Sequence, residues 1–455
     1  MKYPLEPFKY IVTEMLPLPT EAERKKLLED ASYNLFEVPA DRVTLDLLTD
    51  SGTGAITREQ QACSARGDES YAGSPSWLRR LKPSIQTFTG LYGDVVPVHQ
   101  GRGAENVLAD IYLNRDDVVL SNTLFDTTRG NFEQRGALCM DCPADEYSSE
   151  PDGAFKGNMN IRLLEDKIKF YKDRVKLIVL VATNNSGGGQ PVSTQNIEAV
   201  SFIAGEHNIP FLLDACRIAE NAFFIHRHSV RVHDDWASVP EIIQAAFRHA
   251  DLAFMSLKKD GLAHMGGFIV VNRKQLVASR TRAIQVGAIL KEGFKTYGGM
   301  SGKDMEIAAQ GLREVVNPVY LRHRVGQVEY LHAKLKALGY PLVEPAGGHG
   351  VFIDAKALLP HIPPEQFPGH ALAVAFYEKG GIRGVEVGSL MFGENARREF
   401  LRLAIPRLMY TENHMGYVAA VAAEIFNDRH ALRGFQIIEG ADDPARHFSC
   451  KLKPL

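Results

Sequence analysis

Four short stretches of the chain combine reactive residue types, and each directly follows an apolar run. After Val95-Val96-Pro97-Val98 comes His99-Gln100-Gly101-Arg102-Gly103-Ala104-Glu105. Its glycines let the backbone come close to a ligand, and the helix expected next offers free N–H groups to an anion. After Leu177-Ile178-Val179-Leu180-Val181 comes Thr183-Asn184-Asn185-Ser186-Gly187-Gly188-Gly189-Gln190-Pro191. After Phe211-Leu212-Leu213 comes Asp214-Ala215-Cys216-Arg217, whose carboxylate is costly to bury without a cation. Leu252-Ala253-Phe254-Met255 runs into Ser256-Leu257-Lys258-Lys259-Asp260, two ammonium groups side by side. In an open parallel sheet ligands sit beyond the carboxyl ends of the strands, which is where all four stretches fall.

Taken singly, each has a plain explanation: a tight turn, an Asp214–Arg217 ion pair, a solvated basic turn. Taken together they suit one cofactor. Pyridoxal phosphate needs a lysine for its aldehyde, a carboxylate at the protonated pyridine nitrogen, an anion cradle and an aromatic face over the ring. Lys259, Asp214, the Gln100-Gly101-Arg102 loop with Ser256, and Phe125 supply all four. A nicotinamide-binding fold is the rival, but no Gly-x-Gly-x-x-Gly follows the first strand. Cys139-x-x-Cys142 has no second pair to complete a zinc site and reads as two ordinary thiols. His226-x-His228 with His233-Asp234-Asp235 lies in a polar insertion and reads as a solvated loop, so no transition metal is expected.

The elements that must position these residues follow from the hydrophobic pattern. Between about Asp94 and Asn272, β-branched runs alternate with amphipathic stretches, the signature of βα units around a mostly parallel sheet. Ile197, Val200, Ile203 and Ala204 recur at helical spacing after the cap candidates Ser193 and Thr194, which predicts a helical crossover. Beyond Val315 a long helix carries Val325, Val328, Leu331, Leu335 and Leu338 on one face and stops at Gly339. The expected fold is therefore α/β with three segments: 1–46, an arm and part of a small domain; 47–314, the large cofactor-binding domain; and 315–455, a small C-terminal α+β domain. The segment before Thr44 has no sheet of its own and is expected to pack on that small domain or on a neighbouring subunit.

Composition excludes several classes of function. The net charge of −3 in 455 residues gives no field to gather nucleic acid or an anionic membrane. Five scattered cysteines do not form a secreted disulfide framework, and no run has the apolar length of a signal or a membrane span. A cytoplasmic protein with a small-molecule partner is expected.

Longer motifs then carry a resemblance. Leu47-Leu48-Thr49-Asp50-Ser51-Gly52-Thr53-Gly54-Ala55, Gly67-Asp68-Glu69-Ser70-Tyr71-Ala72-Gly73-Ser74, Pro97 through Glu105 and Gly188-Gly189-Gln190-Pro191-Val192-Ser193 resemble the tryptophanase and tyrosine phenol-lyase family. The similarity runs in order from Tyr3-Pro4 to Arg446-His447-Phe448. It implies a fold-type I pyridoxal-phosphate lyase, a homotetramer with active sites shared across a dimer interface, activated by potassium.

By this resemblance Lys259 is the Schiff-base lysine and Lys258 its neighbour that orders water. Asp214 holds the pyridine nitrogen, Arg217 and Asn185 approach the phenolic oxygen of the ring, Phe125 stacks on it, and Gln100, Gly101, Arg102 and Ser256 hold the phosphate. Thr49, Ser51 and Asn185 with Arg407 form the clamp for the substrate carboxylate, a task suited to a planar guanidinium. Tyr71 is the general acid for the departing ring. Glu69 with the backbone oxygens of Gly52 and His264 resembles the potassium site.

Three positions point to indole rather than phenol as the leaving group. Val387 stands where the phenol-lyases carry an arginine; Phe125-Asp126 and His447 match tryptophanase. Tryptophan would thus be split into indole, pyruvate and ammonia, with Tyr71, Asp126 and His447 serving protonation of the indole. Leu257 replaces a glycine or alanine usual before the lysine pair, Asn131 replaces a usual histidine, and Pro75-Ser76-Trp77 lacks an aromatic pair often found there. The neighbouring reading is a lyase for tyrosine or another β-substituted amino acid. From a different class, a non-catalytic cofactor-binding protein would need no acid such as Tyr71.

Overall fold

The computed structural model describes residues 6–144, 153–232, 237–272, 279–443 and 445–455. They divide into two compact units, Ser51–Arg322 and Met1–Asp50 with His323–Leu455.

In the larger unit, strands β1 (Asp94–Val98), β2 (Val118–Ser121), β3 (Leu138–Asp141), β4 (Val175–Val181), β5 (Phe211–Asp214), β6 (Leu252–Ser256) and β7 (Gly267–Val271) form one seven-stranded sheet in the order β1-β7-β6-β5-β4-β2-β3. Only β7 runs antiparallel to its neighbours. The cause is its connection: a parallel return needs a crossover of a dozen residues or more, and Leu257–Gly266 is too short to make one. Every residue of β5, β6 and β7 is buried, as expected of a sheet covered on both faces.

Around this sheet lie helices α1 (Gly101–Tyr112), α2 (Asp126–Glu133), α3 (Thr194–Glu206), α4 (Ile218–Val232) and α5 (Gly302–Glu314). Helix α3 is the crossover that the spacing predicts. Ser193 accepts the Asn196 N–H at 3.2 Å, and Ile197, Val200, Ile203 and Ala204 are buried. Asp260 serves α4 in a similar way, its Oδ2 accepting the N–H groups of Ala219 at 2.7 Å and Glu220 at 3.2 Å.

The smaller unit has its own core. Val328, Leu331 and Leu335 of helix Pro318–Ala337 pack with Leu372, Phe376, Leu401 and Leu403. Gly339, at φ +89°, follows the end of that helix. Leu28, Leu35, Val38, Val43, Leu45 and Leu47 belong to the same core, so the N-terminal segment packs on this unit, and Leu45–Asp46 pairs in parallel with Ile382–Arg383. Strands β8 (Gly350–Asp354), β9 (Val385–Val387) and β10 (Phe400–Ala404) form an antiparallel sheet in the order β9-β10-β8. Among the described residues no helix is long and apolar enough to cross a membrane.

Candidate cofactor and substrate site

The start of α1 is the candidate anion cradle. Gln100 occupies its cap position in an extended conformation, and no side chain caps the helix there. A Cβ on Gly101 would lie 3.0 Å from that of Ser256, so only glycine lets the helix start approach the end of β6 this closely. Unclaimed N–H groups, a nearby hydroxyl and Arg102 together fit a phosphate.

Both lysines sit on the short β6–β7 connection, but their ammonium groups have different surroundings. Lys258 Nζ donates to Gln100 Oε1 at 3.4 Å, and the lysine side chain covers Gly52. Its pKa is lowered by burial and by the charges of Lys259 and Arg102. The charge of Lys259, by contrast, reaches Glu105 and Cys216, the two groups that also feel Asp214. Asp214, the last residue of β5, is buried and accepts the Cys216 N–H at 3.0 Å. Burial and the Asp214 carboxylate push the Cys216 thiol far up, so it stays neutral.

The remaining candidates of this unit lie on loops and helix starts. Phe125, half-buried, occupies the position before α2 without a side-chain capping bond, and Asp126 accepts the Thr127 N–H at 2.6 Å. Asn185 and Arg217 are buried beyond β4 and β5; the Arg217 carbonyl accepts the Thr183 hydroxyl at 2.9 Å. Ser51 is half-buried. Tyr71 is 71 % exposed and rests on a platform of Phe294 and Tyr297. Glu69 is exposed, while Gly52 approaches the His264 carbonyl closely enough that a Cβ would lie 3.0 Å from it. The His264 ring pairs with the Gly54 carbonyl at 2.7 Å.

In the smaller unit, Arg407 and Asp50 are buried and ion-paired at 2.8 Å, and Thr49 beside them is half-buried. Val387 is buried in an apolar cluster with Phe352, Val385 and Phe400. His447 is buried with its ring 3.9 Å from that of Phe448 and 5.9 Å from that of Phe36.

Sequence reasoning gave no role to two acids. Asp68 accepts the Ser74 hydroxyl and the Ser76 N–H, each at 2.9 Å, and the Ser70 N–H at 3.1 Å. Burial opposes its charge, yet these donors hold its pKa well below the usual carboxylate range, which fixes the loop before Tyr71. Glu105 is buried in α1, and a signal existed: Leu108, Ala109 and Tyr112, at i+3, i+4 and i+7, place it on the apolar stripe. Leu257 is fully buried and directed at Gly266. Cys139 and Cys142 form no disulfide, and the described residues contain no cluster of metal-ligand type; His233, Asp234 and Asp235 lie outside them.

Solved structures share this fold at low identity. A serine palmitoyltransferase from Sphingomonas wittichii aligns over 90 % of this chain and 97 % of its own, with TM-score 0.62 and 13 % identity. An aromatic aminotransferase from Pyrococcus horikoshii covers 90 % and 99 %, with TM-score 0.60 and 11 % identity. The fold is the α/β architecture of the fold-type I pyridoxal-phosphate enzymes. Sequence relatives are nearer. Proteins named tryptophanase from Salinibacter ruber and Hyphomonas neptunium are 44 % and 42 % identical, covering 99 % and 100 % of this chain and 95 % and 100 % of theirs. A tyrosine phenol-lyase from Pasteurella multocida is 39 % identical over 96 % of both. The family model for beta-eliminating lyases matches residues 46–421, and with relatives this similar over the whole length the chain belongs to the beta-eliminating lyase family.

Proposed function

We propose that this chain is a pyridoxal-phosphate-dependent carbon–carbon lyase that splits L-tryptophan into indole, pyruvate and ammonia. The observation that carries the chemistry is the placement of Asp214 at the carboxyl end of β5 and of the lysine pair just beyond the carboxyl end of β6, whose Ser256 lies against a helix start suited to phosphate. Identity of 42–44 % to proteins named tryptophanase supports the substrate.

When bound, the cofactor supplies an aldehyde for an amino group and an electron sink for charge developing at the substrate Cα. Lys259 holds that aldehyde, Asp214 pairs with the protonated ring nitrogen, and Gln100, Gly101, Arg102 and Ser256 hold the phosphate. Phe125 covers the ring face; Asn185 and Arg217 meet its phenolic oxygen. Arg407 with Thr49, Ser51 and Asn185 grips the substrate carboxylate. Lys259 then accepts the Cα proton. Indole leaves badly as a carbanion, so Tyr71 delivers a proton to its C3 before the Cβ bond breaks, while Asp126 and His447 orient the ring nitrogen. Lys258 orders the water that completes hydrolysis to pyruvate and ammonia.

The exposed Tyr71 platform supports a homo-oligomer, a tetramer by the family resemblance, in which the phenol serves a site shared with a second copy. Glu69 with the Gly52 and His264 carbonyls forms the potassium site in this reading. The test is incubation of pure protein with single amino acids, reading pyruvate and the aromatic product together. Indole from tryptophan is expected; phenol from tyrosine released faster would move the assignment to the phenol-lyase branch.

A further inference from the structure

Val387 is the last residue of β9, and its cross-strand partner Phe400 is the first of β10, so the ladder that holds it ends there. Gly388 and the single helical turn Ser389–Phe392 follow, and side chains hold them instead. Glu399 accepts the Ser389 N–H at 3.1 Å and also the Ser389 hydroxyl. Glu386 accepts the N–H groups of Leu390 at 3.0 Å and Met391 at 3.1 Å, donors that the start of a helix leaves without partners of its own. Both acids are buried and close on the same glycine: a Cβ on Gly388 would lie 2.5 Å from an oxygen of Glu399 and 2.6 Å from one of Glu386. The carbonyls of the turn go to a third side chain. Arg446 donates from Nη2 to the Ser389 carbonyl at 2.7 Å and from Nε to the Leu390 carbonyl at 3.0 Å. It stands directly before His447 in the 3₁₀ turn Arg446–Phe448, and its Nη1 donates to the Ala441 carbonyl at 3.1 Å.

We propose that Arg446, Glu386 and Glu399 are positioning residues that fix Val387 and His447 relative to one another, so that the apolar wall and the polar contact of indole recognition are held as one piece. This rests on the reading of Val387 and His447 as parts of the tryptophan pocket. The planar fork of Arg446 takes two successive carbonyls, which fixes direction as well as distance. With the N–H groups held by the two acids and the carbonyls by the arginine, the turn cannot rotate without breaking several hydrogen bonds, and a buried polar group left unpaired is costly. Small shifts matter at a reacting ring, since a misplacement of about 1 Å can cost roughly a hundredfold in rate.

The experiment compares two substrates in each full-length holoenzyme: tryptophan, which needs the ring pocket, and β-chloroalanine, which has no ring and whose chloride leaves without a proton. Arg446→Ala removes both donors to the turn, and the ratio of kcat/KM for tryptophan to that for β-chloroalanine should fall about tenfold or more. Arg446→Lys keeps the charge without the fork and should lose nearly as much. Glu399→Ala should lower the same ratio, and Glu399→Gln, whose amide carbonyl still accepts from Ser389, should restore most of it. Turnover of β-chloroalanine reports on the fold and the cofactor in every variant. Equal losses on both substrates, the mark of a merely destabilised protein, overturn the inference, and so does an unmoved ratio. If the wild-type protein cleaves β-chloroalanine but not tryptophan, the substrate reading fails and takes this inference with it. A clear preference for tryptophan that survives Arg446→Ala and Glu399→Ala sinks only the positioning.

Discussion

Arg407 donates from one nitrogen to two oxygens of Asp50, the carboxylate at 2.8 Å and the main-chain carbonyl at 3.0 Å. Arg324 reaches the same carboxylate at 3.5 Å, and all three side chains are buried. Two buried guanidinium groups thus share one buried carboxylate. Asp50→Ala would remove that shared carboxylate, at a cost of about 3–5 kcal/mol in unfolding free energy. Denaturant unfolding checks this, and a loss under about 1 kcal/mol would mean that water screens the pair.

Lys259, not Lys258, is expected to anchor the cofactor aldehyde, because Lys258 is turned towards Gln100 and Gly52. After borohydride treatment with cofactor present, mass spectrometry of the peptide should find the label on Lys259 in wild type and in Lys258→Ala. A label on Lys258 in the wild-type protein reverses the assignment.

Val387 sits among Phe352, Val385 and Phe400, and its own side chain offers no polar group to meet a phenol hydroxyl. Leaving such an oxygen unpaired costs about 1–3 kcal/mol, roughly tenfold to a hundredfold in specificity. Tryptophan should therefore be cleaved with higher kcat/KM than tyrosine, and Val387→Arg should damage tryptophan turnover by burying a charge. Retained turnover in a folded Val387→Arg protein would remove the residue from the substrate pocket.

Glu386 accepts the N–H groups of Leu390 at 3.0 Å and Met391 at 3.1 Å, but burial and the nearby Glu399 carboxylate raise its pKa from an ordinary 4.5 to about 8. The folded protein thus binds this proton more tightly than the unfolded chain. The stability it contributes is full below about pH 4.5 and is lost as pH rises towards 8. Glu386→Gln should flatten that fall; identical stability profiles for the two proteins from pH 5 to about pH 8 would show that Glu386 does not titrate there.

Potassium should raise activity over sodium at matched ionic strength, since one carboxylate and two carbonyls suit a large monovalent ion. Glu69→Gln should abolish the difference. Equal rates in the two salts for the wild-type protein would remove the site.

Six of the seven large-unit strands were legible because each contains a short unbroken apolar run. Strand β3, Leu138-Cys139-Met140-Asp141, was not: it forms the sheet edge and is only partly buried, with Leu138 42 % exposed. The cysteine spacing there drew attention to a motif while the backbone was simply pairing with β2. Among site residues, types at strand ends were readable because the α/β fold fixes where ligands lie. Glu105, Asp68 and Glu386 gain their character from what surrounds them. Thr128 and Asn131 reach Glu105 from another helix, and no pattern local to α1 announces that.

The antiparallel return of β7 makes loop length at the lysine pair a fixed quantity. Connections through helices tolerate inserted residues, because a crossover absorbs them at the surface. Leu257–Gly266 has no such slack: Leu257 N–H binds the Gly266 carbonyl at 2.8 Å, and both ends are already paired in register between Ser256 and Gly267. One added residue ahead of Lys259 would shift both lysines relative to the paired ends of the connection. A change of length here therefore acts on the position of the lysine pair itself.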